Sequence, residues 1–580
     1  MLSSRLFANT GLRQFLRQAS PRTLQAYTTT SKAMAQEYRL KGLSSLDLKS
    51  GEKREVEVEG IEEGKVLLLN VGGKTTALGS KCTHYGAPLV KGVLTGDGRL
   101  TCPWHGACFK ASNGDIENAP AIDALPSFQL SEKNGGVYIT GEQQSIKGSR
   151  RKPNIKITGS VGSEKVVIVG GGSGTLGTLE ALRENGFKGA ITVIGSEGYP
   201  PIDRTKLSKA LIDDPSKIAF RDEAWFKEGS INMVSDEVTD VDFSAKKVST
   251  KGGSSFPYTK LVLATGGSPK NLPLPGFKEL GNIFLLRTVP HVKAILGAIG
   301  DKNKKIVIIG SSFIGMEVAN AVAKDNDVTV VGMEKAPLER VMGEEVGKIF
   351  QKALEKNGVK FKLNAGVEKA VPSKSNSSNV GGVELKDGTT LEADLVILGI
   401  GVGPATTFLK DNKAIELRED GSLTTDEHFA VSGLKDVYAI GDIATYPYHG
   451  PGGEGALTRI EHWNVAQNAG RGVAANINDP SAPPKAFIPI FWSALGSQLR
   501  YCGNTINGWD DLVLTGTPEE AKFVAYYTKG ETVVAVASMG IDPVMSQSSE
   551  LMRRGKMPSK SELKKGVDPL SISVPAELKI

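Results

Sequence analysis

Cys82 and His84 stand one residue apart, Cys102 and His105 two, and seventeen residues separate the two pairs. The stretch from Lys81 to Phe109 thereby holds three of the chain's four cysteines and two of its six histidines. Thiolates and imidazoles bind zinc tetrahedrally or hold a [2Fe–2S] cluster, and either centre needs four such donors. Zinc fingers pair Cys with Cys and His with His, whereas here each short stretch offers one thiolate and one imidazole. A cluster with two Cys on one iron and two His on the other draws one ligand of each kind from each loop. Cys108 lies outside the pattern and reads as a small buried hydrophobe.

CTHYGAPLVKGV (82–93) followed by CPWHGACF (102–109) resembles the Rieske domain, with glycines that bend each loop around the cluster. The resemblance implies Cys82, His84, Cys102 and His105 as ligands of a [2Fe–2S] centre. Respiratory Rieske proteins carry a further cysteine in each loop, joined as a disulfide; Ala87 and Trp104 hold those positions here. A bridge-free, ferredoxin-type centre is implied, in the lower part of the range of about −150 to +300 mV open to such clusters. EVEVEGIEEGKVLLLNVGGKTTALGS and GGVYIT, on either side, read as alternating strands parted by Gly-containing turns. A small all-β domain at 37–142 is expected.

Further along, EKVVIVGGGSGTLGTLEALRENGFKGAITVIGSE (164–197) gives apolar strand, glycine turn, helix and a second strand ending at Glu197. That order defines a dinucleotide-binding βαβ unit, with Gly170 for the tight turn and Gly172 for backbone approach to a pyrophosphate at the helix N-terminus. Thr175 replaces the third glycine, which is expected to loosen helix-to-strand packing. Nearly the same unit returns at 304–335, where Gly310 and Gly315 hold the outer positions and Ser312 the middle one. Glu334 closes its second strand; a carboxylate there accepts from a ribose 2′-hydroxyl and repels a 2′-phosphate, so NADH is expected over NADPH.

YTKLVLATGGSP, LEADLVILGIGVGP and VYAIGDIATYP resemble strand-end motifs of the FAD/NAD(P)-linked disulfide-oxidoreductase-like superfamily. The resemblance implies Ala264, Thr265, Gly266, Gly441 and Asp442 at a resident FAD, with Asp442 on the ribitol. PPIDRTKLSKAL (200–211) is similar to the apoptosis-inducing-factor and ferredoxin-reductase branch. That likeness implies Arg204 and Lys209 against FAD, Lys209 near flavin N5 and paired with Glu317, and these two as the tuning pair. RIEHWNVAQNAGR resembles the helix facing the flavin, implying Glu461, His462 and Trp463 beside it; FIPIFWSALGSQLRYCG adds Phe491 and Trp492.

These sites need positioning, and 580 residues suffice for three or four domains. The expected architecture is multidomain: an all-β Rieske domain, then two Rossmann-like α/β domains for FAD and NAD, then a C-terminal α+β domain. Expected limits are 1–34 presequence, 37–142 Rieske, 143–162 linker, 163–289 and 413–484 FAD, 290–412 NAD, and 485–580 C-terminal. Residues 1–34 hold four Arg, one Lys and no acid, with an apolar face of Leu6, Phe7, Leu12, Phe15 and Leu16, as in a mitochondrial presequence. Met34 is a candidate second start for a cytosolic form. That segment supplies +5 of the net charge of +6, so no nucleic-acid binding is expected of the remainder. Two basic runs, 145–156 and 552–565, read as a solvated linker and a solvated surface or tail, and no stretch is apolar enough to span a membrane.

Beyond Cys108 only Cys502 remains, so no redox dithiol serves the flavin. The other four histidines are scattered, unlike the iron site of a Rieske oxygenase. The combination resembles Rieske-containing apoptosis-inducing-factor-like oxidoreductases. It implies transfer from NADH through FAD to the cluster, whose histidines would be the exit, and on to an acceptor, protein or otherwise, that the sequence leaves open along with the oligomeric state. Two other readings stand beside it: a redox-sensing cell-death signalling protein, and the reductase component of an oxygenase or nitrite-reducing system.

Overall fold

The computed structural model describes residues 35–157 and 162–574. The expected presequence, 1–34, and residues 158–161 of the expected linker lie outside the described residues.

The described residues open with two antiparallel sheets. The larger runs in the order Gln36–Arg39, Gly136–Gly141, Ser127–Lys133, Lys74–Gly79, Lys65–Val71, Lys53–Glu57. Side chains alternate across a strand, and Lys65–Val71 is apolar on both faces. Leu67 and Leu69 enter the core that also holds Cys82 and Cys102, while Val66 and Leu68 enter the core on the other side. Each such fully buried leucine contributes roughly 1.5–3 kcal/mol. A smaller sheet, from Val93–Leu94 to Ile116–Asn118, is inserted between Lys74–Gly79 and Ser127–Lys133. The first Cys/His loop leads into it and the second joins Arg99–Thr101 to Cys108–Lys110.

The basic run 145–156 exposes all five of its cations, as expected of a solvated linker, but two of its apolar side chains anchor it. Gln143–Gly148 is helical and Ile146 is buried in the core behind the large sheet, while Ile155 is buried against the next domain. Both of its arginines have partners: Arg150 pairs with Asp123 at 3.1 Å and Arg151 donates to the Leu125 carbonyl.

Two parallel sheets follow, each with its first βα turn at the centre. One runs Ile231–Ser235, Ala190–Gly195, Lys165–Val169, Lys260–Leu263, Val437–Ala439; the other Ile283–Leu285, Leu395–Leu398, Lys305–Ile309, Asp327–Val331, Val359–Lys362. Val437–Ala439 returns from beyond the second sheet to pair with Lys260–Leu263, which carries Asp442 to the cavity that Gly170 borders. Thr175 does not loosen its helix: it is fully buried and its hydroxyl donates to the Gly170 carbonyl at 2.7 Å. Close packing comes instead from Gly177 and Gly470, where an added Cβ would lie 2.2 Å from the Gln467 carbonyl oxygen and 2.3 Å from that of Gly174. The helices Ser173–Glu184 and Trp463–Asn478 are therefore in backbone contact.

The last sheet is antiparallel, in the order Ile490–Ala494, Gln498–Gly503, Thr532–Met539, Lys522–Lys529, Asp511–Thr517, and is covered by helix Val544–Arg553. The start of the second basic run is not solvated. Met552, Arg553 and Arg554 are buried, Arg553 pairs with Glu550 at 2.7 Å, and Arg554 pairs with Asp97 of the first domain. Among the described residues no helix is long and apolar enough to cross a membrane.

Candidate functional site

The two Cys/His loops repeat one geometry. Cys82 N–H donates to the Ala87 carbonyl and Cys102 N–H to that of Ala107, both at 2.8 Å, and Gly86 and Gly106 turn each loop at φ of 78° and 69°. Positive φ there is cheap only for glycine. The backbone N–H groups of His84 and Tyr85 are aimed at the Cys82 sulfur, those of Trp104 and His105 at the Cys102 sulfur, and the two thiols face each other. His84 Nδ1 and His105 Nδ1 lie 3.1 Å apart; two nitrogens sharing one metal at 2.0–2.1 Å would stand about 3.3 Å apart. Burial pulls the His84 pKa down to about 3 and the His105 value well below the usual imidazole range, which keeps both neutral, as ligands must be.

Among the described residues no three His, Cys, Asp or Glu side chains converge on a single-metal site. The donors divide into a pair of thiols and a pair of imidazoles, which suits two irons and not one zinc. The four side chains fit a Rieske [2Fe–2S] cluster. Cys108 is fully buried, and desolvation pushes its thiol up to about 12.

Behind the loops lies a cavity of about 1050 Å³. It is lined by Gly170, Gly172, Glu197, Arg204, Lys209, Ala264, Thr265, Gly266, Glu317, Gly441, Asp442, Glu461, His462, Trp463, Phe491 and Trp492. A Cβ on Gly170 would strike the Ala264 carbonyl oxygen at 2.1 Å, whereas one on Gly172 meets nothing within 4 Å, so the backbone lies open to a pyrophosphate. Glu197 pairs with Arg204 at 2.6 Å and accepts from Tyr199. Lys209 Nζ is 2.9 Å from Glu317 Oε1, and the buried carboxylate also accepts from Ser493 at 2.6 Å and from Ser208. His462 is lowered to about 3 by burial and by Lys209. These residues fit an FAD.

Sequence reasoning missed Arg287, whose Nη2 holds Asp442 Oδ2 at 2.8 Å, and the serines on Glu317. It also missed Tyr85, which stacks on His84 with ring centroids 3.7 Å apart and donates to Asp203. Ser208 and Asp203 stand inside PPIDRTKLSKAL, so that motif carried a signal for them; Arg287 and Ser493 reach their partners only through the tertiary fold.

Gly310, Gly315 and Glu334 do not line the large cavity. Gly315 brings its helix against the strand end, since a Cβ would lie 2.1 Å from the Gly310 carbonyl oxygen. Ser312 turns its hydroxyl onto the protein: it donates to the Gly399 carbonyl at 2.6 Å and caps its helix through Gly315 N–H. Glu334 borders a second cavity of about 380 Å³, accepts from Ser311 at 3.2 Å and pairs with Arg340 at 3.1 Å. Arg340 lines both cavities.

Aromatic rings bridge the loops to the large cavity. Trp492 lies 4.5 Å from the His105 ring and 5.4 Å from that of His84, and Trp463 is nearly parallel to His84 at 6.3 Å. The imidazoles thus face inward, only 6% and 5% exposed, toward residues that border the FAD cavity.

A bridge-free Rieske centre set against a two-nucleotide flavin fold defines a class of NAD(P)H-dependent flavoprotein oxidoreductases. The family descriptions agree: residues 164–470 match pyridine nucleotide-disulphide oxidoreductase, 40–129 the Rieske [2Fe-2S] domain and 490–571 the reductase C-terminal domain. The chain belongs to the pyridine nucleotide-disulphide oxidoreductase family and carries a Rieske domain, with FAD, NAD(P)H and a [2Fe–2S] cluster as its cofactors. It is similar to "Apoptosis-inducing factor 3" of Homo sapiens, 38% identical over 89% of this chain and 84% of the relative. It is also similar to the "Benzene 1,2-dioxygenase system ferredoxin--NAD(+) reductase subunit" of Pseudomonas putida, 32% identical over 61% of this chain and 83% of the relative. Among solved structures, a covalent putidaredoxin reductase–putidaredoxin complex aligns at a TM-score of 0.62 and 27% identity, over 67% of this chain and 93% of that one.

Proposed function

We propose that this chain oxidises NADH at its large cavity and passes the electrons one at a time, across Trp492, to the histidine edge of its own cluster and then to an external acceptor. Bound FAD supplies the conversion from a two-electron hydride to single electrons. The observation that carries the reading is the contact of Trp492 with both His84 and His105 at the wall of the FAD cavity. The histidines are then where electrons arrive and not where they leave.

Lys209, held by Glu317, presents a cation to the cavity where negative charge on a reduced ring is stabilised. Glu334 with Ser311 supports NADH as donor, as do relatives named as NAD(+) reductases. In this organisation 37–142 accepts electrons, 163–289 with 413–484 holds FAD, 290–412 holds NADH, and 485–580 closes the cavity with Trp492. A ferredoxin-type protein is the kind of acceptor that the reductase relatives suggest.

Anaerobic titration with NADH, following flavin absorbance and the cluster's paramagnetic signal together, tests the relay. Both are expected to change; a flavin that reduces beside a cluster that never does would sink it. A mitochondrial address is proposed from residues 1–34. A reporter fused to them is expected to be imported, and cytosolic retention would reject the address.

A further inference from the structure

We propose that electrons leave through the open outer side of the Cys82–Ala87 loop, and that this cationic patch receives an acidic one-electron carrier protein. The proposal rests on the internal relay above. The two ligand loops share backbone bonds and a positive-φ glycine, yet their surroundings differ. A Cβ on Gly106 would lie 2.4 Å from Ile490 Cδ1 of the C-terminal domain, while one on Gly86, which is exposed, meets nothing within 4 Å. The second loop is further pinned by Ser546, whose hydroxyl donates to the Cys102 carbonyl at 2.7 Å. The imidazoles are covered by Trp463 and Trp492. At the first loop Gly86 N–H donates to the Cys82 carbonyl at 2.9 Å, so solvent lies one hydrogen bond from the backbone of a ligand residue.

Three cations stand beside that loop. Lys81 is exposed next to Cys82, Lys206 Nζ stands 4.4 Å over the Tyr85 ring, and Arg150, its side chain 45% exposed, donates to the Thr83 carbonyl. The nearby carboxylates are buried and engaged: Asp123 by Arg150 and Arg221, Asp203 by Tyr85 and Thr205. Such a patch steers an anionic partner and raises its association rate. Each NADH oxidised to NAD⁺ yields two electrons and one proton, so two carrier molecules leave reduced.

The test uses the full-length holoprotein with NADH, cytochrome b5 as an acidic haem acceptor and cytochrome c as a basic one. Lys81→Glu is expected to lower kcat/KM for cytochrome b5 about tenfold, mostly through KM, and to weaken its fall with salt; Lys206→Gln is expected to lower it less. Cytochrome c is expected to react no more slowly with Lys81→Glu than with the parent. An unchanged cytochrome b5 rate in both variants, or none in the parent, overturns the patch, provided NADH reduces the cluster. A cluster that NADH does not reduce in the parent overturns the relay instead.

Discussion

Cys102→Ser is expected to abolish NADH-dependent reduction of a one-electron protein acceptor, by at least about 100-fold, while NADH still reduces the flavin. Second-shell changes around a metal already cost 10–100-fold, and here a ligand itself is lost. A serine hydroxyl does not ionise near neutral pH as a thiol does, and Cys102 is 1% exposed with the N–H groups of Trp104 and His105 aimed at its sulfur. Those donors are built for a charged acceptor; with a hydroxyl there they lose the stronger half of the bond. Iron content and the paramagnetic signal are expected to vanish together. Cys108→Ser is the matched control: that thiol is fully buried beside Thr101, outside the ligand set, and the variant is expected to keep its cluster. Retention of acceptor turnover by an iron-free Cys102→Ser protein would show that electrons leave from the flavin directly.

The convergence of the four donors was legible in the sequence because local spacing places each pair. C-x-H and C-x-x-H, with a glycine after each histidine, are loop geometries complete within a few residues. The same holds for Gly170 and Gly172, whose roles follow from one strand-turn-helix. What escaped was set by contacts between distant segments. Arg287 meets Asp442 only because Val437–Ala439 returns to the first parallel sheet. The direction of the histidines was unreadable for the same reason: it depends on Trp492 and Ile490 from the C-terminal sheet closing over loops some 400 positions earlier. The start of the second basic run misled, and the anchoring of the first escaped notice, because charge composition says nothing of partners. Arg150 and Arg554 meet Asp123 and Asp97, which neither run contains.

Those interdomain partners predict the second large effect. Arg221 is buried between the Rieske and FAD domains, donating to Asp123 Oδ1 at 2.8 Å and the Ile122 carbonyl at 2.6 Å on one side, and to Glu180 Oε1 at 2.7 Å on the other. Arg221→Met keeps much of the volume and takes the cation from two carboxylates. Breaking one side of a buried pair costs about 3–5 kcal/mol, here charged to the docking of one domain on the other. Asp123 retains Arg150, so the damage falls on Glu180, which is fully buried. Burial already pushes its pKa up to about 7 with Arg221 present, and losing the cation raises it further. Glu180 can then shed its charge by taking a proton at low pH, so the variant's defect is expected to grow as pH rises from 6 to 8. NADH reduction of the flavin is expected to stay near the parent rate, since Arg221 does not line the FAD cavity, while cluster reduction slows because Trp492 and His105 no longer stay 4.5 Å apart. Restoring fast cluster reduction with Glu180→Gln in the Arg221→Met background would assign the defect to the stranded charge. Equal flavin and cluster rates in Arg221→Met and the parent at pH 8 would mean that the remaining contacts, among them Lys485 on the Glu117 carbonyl and Asn468 on Ala119 N–H, hold the domains together unaided.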